Sequence, residues 1–290
     1  MDETVTVAAN ARKYVSDDRW RLRLFECIAA ETRRIAAILK EPHFSVQGSS
    51  SDDEFRQRVS AIDQLLSDLC RAEAIVGRWG TPAMRDSLTL GPKRLSDGAG
   101  EGGGNTGWLA LQWYPALLLS YAGGIAAVAS ESYDTLLALM HARVGTRSGS
   151  ARLVAAATTG IDDLRQSFKL LPGLEQKFVP LSEHLYETLK PILEETLFLG
   201  SDYDRAFDVF EILYAVEFSH QSGRGWAPVG RFGWKSGRGE SGPLQQLTKD
   251  ATAASGRWPP LAAGLCGGSH EKLDEHLKGL ATAIARSERW

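Results

Sequence analysis

Residues Trp108–Ser130 read WLALQWYPALLLSYAGGIAAVAS and contain no charged side chain. The run is long enough to cross a bilayer as a helix. However, Gln112, Pro115 and the Gly123-Gly124 pair interrupt it, and no basic cluster flanks either end. Proline suits the first turn of a helix, and residues 116–129 are mostly apolar around the whole circumference. We therefore predict a buried central helix that starts near Pro115, rather than a membrane span.

Amphipathic helices are predicted on both sides of this central helix. Upstream, apolar residues recur every three or four positions between Asp17 and Lys40, and again over Asp52–Gly77. A short helix is predicted around Pro82–Leu90. Downstream, the same periodicity covers Ser132–Arg143, Ser150–Leu171, Leu181–Leu199, Tyr203–His220, Pro243–Ser255, Pro259–Leu265 and Ser269–Ser287. The predicted fold is an all-α bundle of about eight to ten helices.

Composition also suggests where the bundle begins and where it is interrupted. Residues 1–16 are polar and aperiodic, so we predict a flexible tail there and a single helical domain over 17–290. Residues 91–107, GPKRLSDGAGEGGGNTG, are predicted to form a flexible loop. The glycine- and aromatic-rich segment at 222–239 is predicted to be a short loop or hairpin.

Overall charge and cysteine content restrict the compartment and the partners. The chain of 290 residues carries 33 Lys and Arg against 36 Asp and Glu, so no global field attracts nucleic acid or an anionic membrane. Its three cysteines are widely spaced and odd in number, which is typical of buried thiols in a reducing compartment. The N-terminus lacks the apolar run of a signal peptide, and we predict a cytoplasmic location.

Motifs that mark common enzymes or metal sites are absent from the sequence. The string Gly98–Gly103 matches GxGxxG, but no hydrophobic strand precedes it and no helix is predicted at its last glycine. His270 and Asp274 stand four residues apart, yet the sequence offers no third ligand. We predict neither a metal site nor a cofactor.

Histidines beside acidic residues offer only weak evidence of catalysis. His184 has Glu183 and Glu187 nearby, and His220 has Glu217, but such neighbours are common on helix surfaces and no nucleophile accompanies them. The catalytic residues are unknown at this point, and the sequence favours a non-enzymatic protein. An enzyme whose groups converge from separate helices stays an alternative.

The strongest local signal for binding is SGRGWAPVGRFGWKSGRG at 222–239. Basic and aromatic side chains alternate there among glycines, a mixture suited to stacking on bases or contacting phosphates. The other interpretation is that the aromatic side chains pack against the helical body while the basic ones stay in water. The candidate ligand- or partner-binding residues are Arg224, Trp226, Arg231, Phe232, Trp234, Lys235 and Arg238.

Several segments of the sequence resemble the helical accessory regions that follow effector domains in bacterial conflict and defence proteins. In those proteins the leading domain is Schlafen-like, sirtuin-like or of the Toll/interleukin-receptor type. These segments are Arg78–Gly80, Tyr114–Ala127, Tyr133–Leu139, Leu171–Leu189, Gly225–Lys235 and Leu265–Leu273. The resemblance covers most of 17–290, and no catalytic residue carries over from it. It implies sensing, scaffolding or oligomerisation, in a chain that corresponds to the accessory region alone.

The leading hypothesis is therefore a non-enzymatic helical interaction or sensor module that regulates a bacterial anti-phage defence effector. Its expected partner is another protein or a second copy of the chain. The alternative is a nucleic-acid-binding protein that uses the segment 222–239, with an affinity that falls steeply with salt.

Overall fold

Helices of very unequal length build the protein in the computed structural model, which describes residues 6–224, 226–236 and 241–287. The predicted all-α class is confirmed. Short helices raise the number above the expected eight to ten. The α-helices of the described residues are α1 Val7–Tyr14, α2 Arg21–Ile38, α3 Asp52–Trp79, α4 Arg85–Leu95, α5 Thr106–Leu111, α6 Tyr114–Ala129, α7 Tyr133–Met140, α8 Leu153–Ile161, α9 Pro180–Leu197, α10 Asp202–Ser222, α11 Arg231–Ser236, α12 Pro243–Ala254, α13 Pro259–Ala262 and α14 His270–Ser287.

Several connections between these helices are themselves short 3₁₀ helices. They span Asp18–Trp20, Pro42–Phe44, Pro82–Met84, Asp162–Leu170, Ser255–Arg257 and Leu265–Gly268. Three of the six contain Pro or Gly near their start, which suits a tight turn between packed helices.

Local capping chemistry explains where the longest helices begin and end. The Ser51 hydroxyl accepts a hydrogen bond from the Glu54 backbone N–H at the start of α3, whose first turn is acidic. Pro180 occupies the first turn of α9, where no backbone N–H is needed. Helix α10 ends at Gly223, which adopts the left-handed conformation with φ +61°.

Helix α6 lies at the centre of the bundle. Residues 114–128 are buried without exception, and α6 contacts α3, α4, α7, α8, α9 and α10. Glycines allow the neighbouring helices to approach α6 closely. A Cβ on Gly124 of α6 would overlap the ring of Phe210, and a Cβ on Gly77 of α3 would overlap the backbone of Gly123. The predicted buried helix is confirmed. In the described residues no helix has both the length and the apolar character needed to cross a membrane.

A β-hairpin interrupts the region where continuous helices are predicted. Strands β1 Arg143–Thr146 and β2 Gly149–Arg152 pair antiparallel, with Thr146 opposite Gly149. Gly149 has φ +121°, which favours a turn over a helix. The prediction of a helix over Ser150–Leu171 is therefore wrong at both ends. Strand β2 occupies its beginning, α8 its middle and a 3₁₀ helix its end.

The predicted tail at 1–16 requires correction, because it contains α1. Thr6 caps this helix by accepting a hydrogen bond from the Ala9 backbone N–H, and Val7, Ala8 and Ala11 are buried against the core. Its small apolar residues made the helix hard to detect. Residues 1–5 of the predicted tail lie outside the described residues.

The predicted loop at 91–107 is shorter than expected. Helix α4 continues through Pro92 to Leu95, and α5 begins at Thr106. The Asn105 side chain caps α5 by accepting from the Gly107 and Trp108 backbone N–H groups, and the Asn105 backbone N–H donates to the Val46 carbonyl over 2.8 Å. The glycine-rich connection is thus fixed to the body at its C-terminal end.

Candidate functional site

The predicted binding segment is attached to α9 and α10 through Arg231, the first residue of α11. Its backbone N–H donates to the Ser182 hydroxyl and to the Glu211 carboxylate, each over 2.9 Å. Its guanidinium donates to Glu183 over 2.5 Å and lies 3.5 Å from the centre of the Tyr186 ring. Arg231 is therefore buried, with its charge compensated by a carboxylate and by an aromatic face.

Lys235 makes the second attachment, one turn further along α11. Its ammonium donates to both oxygens of Asp204 over 2.8 Å and to Asp208 over 2.7 Å. The guanidinium of Arg231 lies 3.6 Å from Asp204, which joins the two attachments. We call Glu183, Asp204, Asp208, Glu211, Arg231 and Lys235 the ion-pair cluster.

Helical spacing brings these side chains together. Asp204, Asp208 and Glu211 are separated by four and three residues, so they lie along one face of α10. Arg231 and Lys235 are also four residues apart, and they present two cations to that face from α11. The cluster contains two more carboxylates than cations, so it is acidic when every group is ionised.

Burial and hydrogen bonding shift the pKa values of the acidic groups in the cluster in different directions. Burial raises the pKa of Glu211 to about 7, despite hydrogen bonds from Ser182 and Tyr121. Burial likewise raises the pKa of Asp208 to about 6. For Asp204 burial acts in the same sense, but the hydrogen bond and charge of Lys235 outweigh it and lower the pKa. Glu211 therefore titrates near neutral pH.

The other candidate residues are divided between the core and the surface. Phe232 is fully buried, and the ring of Trp226 packs 4.9 Å from that of Phe218. Trp234 is 40% exposed and donates its indole N–H to Glu183 over 3.2 Å. Arg224 is exposed.

Arg238 lies outside the described residues, as do its neighbours 237, 239 and 240. The segment differs from a basic surface patch, because Arg231 and Lys235 face carboxylates inside the protein. The structure places a short helix, α11, where the sequence suggests a loop or hairpin. Among the described candidates, Trp234 and Arg224 are the side chains most accessible to a partner.

A small cavity adjoins the ion-pair cluster. It measures about 70 Å³, and its lining includes Phe178, Glu211 and the backbone turn at Pro228–Gly230. Phe178 is 63% exposed and precedes the first turn of α9, which also carries Glu183. Two exposed aromatic side chains are thus associated with the cluster: Phe178 lines the same cavity as Glu211, and Trp234 donates to Glu183.

The side chains of His184 and His220 have partners outside this segment, in different surroundings. His184 Nε2 lies 3.0 Å from Asp63, which also accepts a hydrogen bond from the Tyr114 hydroxyl over 2.5 Å. His220 stacks against His276 with 5.7 Å between ring centres. The acidic partner of His184 is thus on α3 and not among its sequence neighbours, so the groups of a carboxylate–imidazole pair do converge from separate helices.

Glu217, expected beside His220, has other partners. It accepts hydrogen bonds from the Cys266 backbone N–H over 2.9 Å and from the Gln221 amide over 2.6 Å, and it contacts His141 over 2.7 Å. Burial is the main influence that raises the pKa of the Cys266 thiol to about 12, so this cysteine is no nucleophile at neutral pH.

His270 and Asp274 approach each other on the exposed face of α14, with 3.7 Å between Nδ1 and the carboxylate. No third metal-binding side chain joins them in the part of the chain that the structure describes.

Comparison with protein-family models, with curated proteins and with solved structures finds no match to this chain. The resemblance to accessory regions of defence proteins therefore stays a prediction.

Proposed function

We propose that the protein is a non-enzymatic helical interaction module, and that its docking surface is centred on Trp234 and Phe178. The observation that carries the proposal is the exposure of these two aromatic side chains beside an ion-pair cluster that fixes the position of one of them. Exposed aromatic residues on rigid supports are typical centres of protein interfaces.

Charge selects the class of partner. The cluster has more carboxylates than cations, and Asp204 is half exposed at its edge. A protein segment with an apolar side chain flanked by Lys or Arg would bury the apolar group against Trp234 and place its cations near the acidic edge. A nucleic acid would bring further negative charge to the same place, so the alternative of nucleic-acid binding receives less support from this geometry.

The biological setting is part of the proposal and rests on the sequence resemblance. In that setting the partner is an effector of bacterial anti-phage defence, and the module senses or scaffolds it in the cytoplasm. Self-association through the same surface is the competing arrangement.

Selection from a display library of random peptides tests the docking surface. We expect the selected peptides to combine an aromatic or aliphatic residue with Lys or Arg. Trp234→Ala should weaken their binding about 30-fold, as for an interface centre. Trp79→Ala is the matched control, because Trp79 is 48% exposed at the end of α3, and we expect no change there.

Two results would contradict the proposal. Peptides that bind the parent and Trp234→Ala equally would place the interface elsewhere. Binding of a labelled single-stranded oligonucleotide that decreases steeply with salt and is lost in Trp234→Ala would instead support the nucleic-acid alternative.

A further inference from the structure

A second cavity lies far along the chain from the ion-pair cluster, among the N-terminal helices. Its volume is about 110 Å³, and α2, α3, α4 and α5 all contribute to its wall. None of its lining residues belongs to the cluster. Most of the wall is apolar, formed by residues that include Leu39, Phe44, Ile62, Leu95, Leu111 and Pro115.

Two buried polar side chains in this wall each have one N–H group without an acceptor. The guanidinium of Arg58 lies 4.0 Å from the centre of the Trp108 ring, and its terminal nitrogens donate to the Ser45 carbonyl and to Glu54. The Arg58 side chain is only 5% exposed. Within the described residues, neither the Arg58 Nε–H nor the Trp108 Nε1–H has a hydrogen-bond partner.

An unpaired buried donor is costly, and two such donors in one cavity wall indicate a site for an acceptor. The unpaired Nε–H of Arg58 belongs to a guanidinium cation, whose terminal nitrogen pairs with Glu54. An anionic oxygen is therefore the acceptor that this part of the wall would stabilise most.

Three exposed charged side chains also line the cavity and together add one net positive charge. They are Lys40, Arg94 and Asp97. Arg94 pairs with Asp97 over 3.2 Å, whereas Lys40 makes no ion pair among the described side chains. Gln112 uses its amide oxygen to accept from the Gly100 backbone N–H, so its amide nitrogen stays available as a donor.

We propose that this cavity binds a small monocarboxylate with a short apolar body. The carboxylate would be held by Arg58, Trp108 and Gln112, and the body would contact the apolar wall. Phosphate fits less well, because a dianion with no apolar part would lose its hydration among few donors. The volume corresponds to a few water molecules, which sets the size near that of butanoate.

Calorimetric titration of the folded chain tests the ligand class. The probes are butanoate and benzoate, with butanamide as the neutral analogue and inorganic phosphate as the competing anion. We expect a carboxylate to bind, and butanamide and phosphate to bind at least tenfold more weakly. Phosphate that binds as tightly as the carboxylates, or carboxylates that do not bind at millimolar concentration, would overturn the proposal.

Variants then locate the site. Gln112→Glu keeps the acceptor for Gly100 and replaces a donor by a negative charge, so carboxylate binding should weaken roughly tenfold or more. Trp108→Phe keeps an aromatic side chain but removes the indole N–H, and carboxylate binding should weaken by a similar factor. Lys93→Ala, an exposed neighbour of Arg94 outside the cavity, is the control and should bind like the parent.

Circular dichroism of each variant separates loss of binding from loss of folding. A folded Gln112→Glu variant that binds butanoate like the parent would overturn the proposal. This test is independent of the docking surface, because Trp234→Ala should leave carboxylate binding unchanged.

Discussion

Glu73 places a carboxyl group inside the helical core, and its replacement gives the sharpest test of the packing. The side chain is fully buried on α3, beside Gly91, Leu69 and Leu119. Neither carboxyl oxygen has a hydrogen-bond partner among the described residues. Burial raises the pKa of Glu73 well above its ordinary value, so the fold favours the protonated form of this carboxyl group.

The sign of the pH dependence follows from the raised pKa. The stability associated with Glu73 is fully present below the unfolded pKa, near 4.3, and is lost as the pH rises toward the folded pKa. Each pH unit in that window lowers the free energy of unfolding by up to about 1.4 kcal/mol. Glu73→Gln removes the titrating group, so its stability relative to the parent should increase from about pH 5 to about pH 7, by at most about 1.4 kcal/mol per pH unit.

Urea unfolding of the parent and Glu73→Gln at both pH values, at constant ionic strength, measures this difference. Glu26→Gln is the control variant, since Glu26 lies on the exposed face of α2. A stability difference for Glu73→Gln that is the same at both pH values would refute the reasoning, because it would mean that Glu73 titrates in the fold as it does in the unfolded chain.

Three other predictions follow from backbone positions and from the ion-pair cluster. Gly124→Ala should destabilise the protein by about 1–3 kcal/mol, because the added methyl group would overlap the Phe210 ring. Gly279→Ala, in open space on α14, should stabilise the protein by about 0.5–1 kcal/mol. Equal effects of the two substitutions in chemical denaturation would contradict the packing. Phe198→Gly should stabilise by about 1 kcal/mol, because this 85% exposed residue ends α9 with φ +54°, and an unchanged or lower melting temperature would count against it. The protection of the Arg231–Ser236 amides against hydrogen exchange, corrected for intrinsic exchange, should decrease as the pH rises through about 7. The reason is that the pKa of Glu211 is raised, so the stability that Glu211 contributes is lost as the pH rises. Protection that stays constant would show that Glu211 does not hold the segment.

The central helix was predictable because its sequence permits few alternatives. An uncharged run with proline at its start and apolar residues around its circumference must be buried in a bundle or in a membrane. The long amphipathic helices α2 and α3 were predictable for a similar reason, since their apolar stripes are regular.

The hairpin at 143–152 was not predictable from periodicity. Its strands have four residues each, too few to distinguish alternation from the end of a helix. Helix α1 was missed because a short, alanine-rich helix has little apolar surface, and its stability comes from contacts with α2 and α3.

The sequence indicates a candidate segment that combines basic and aromatic residues, but it does not reveal the acidic partners of that segment. Sequence patterns within 222–239 hold no information about Glu183 or Asp208, which are distant in the chain. One signal was present: α10 carries Asp208 and Glu211 within the otherwise apolar stretch FDVFEILY. Buried carboxylates in such a stretch require donors from elsewhere.

Helix α6 also has a consequence for the synthesis of the protein. It leaves the ribosome before α8, α9 and α10, which later cover a large part of its surface. Until those helices are made, the nascent chain exposes an uncharged and strongly apolar segment that is prone to aggregation. Efficient production should therefore depend on chaperones that shield apolar segments, and overproduction without them should direct the chain into inclusion bodies.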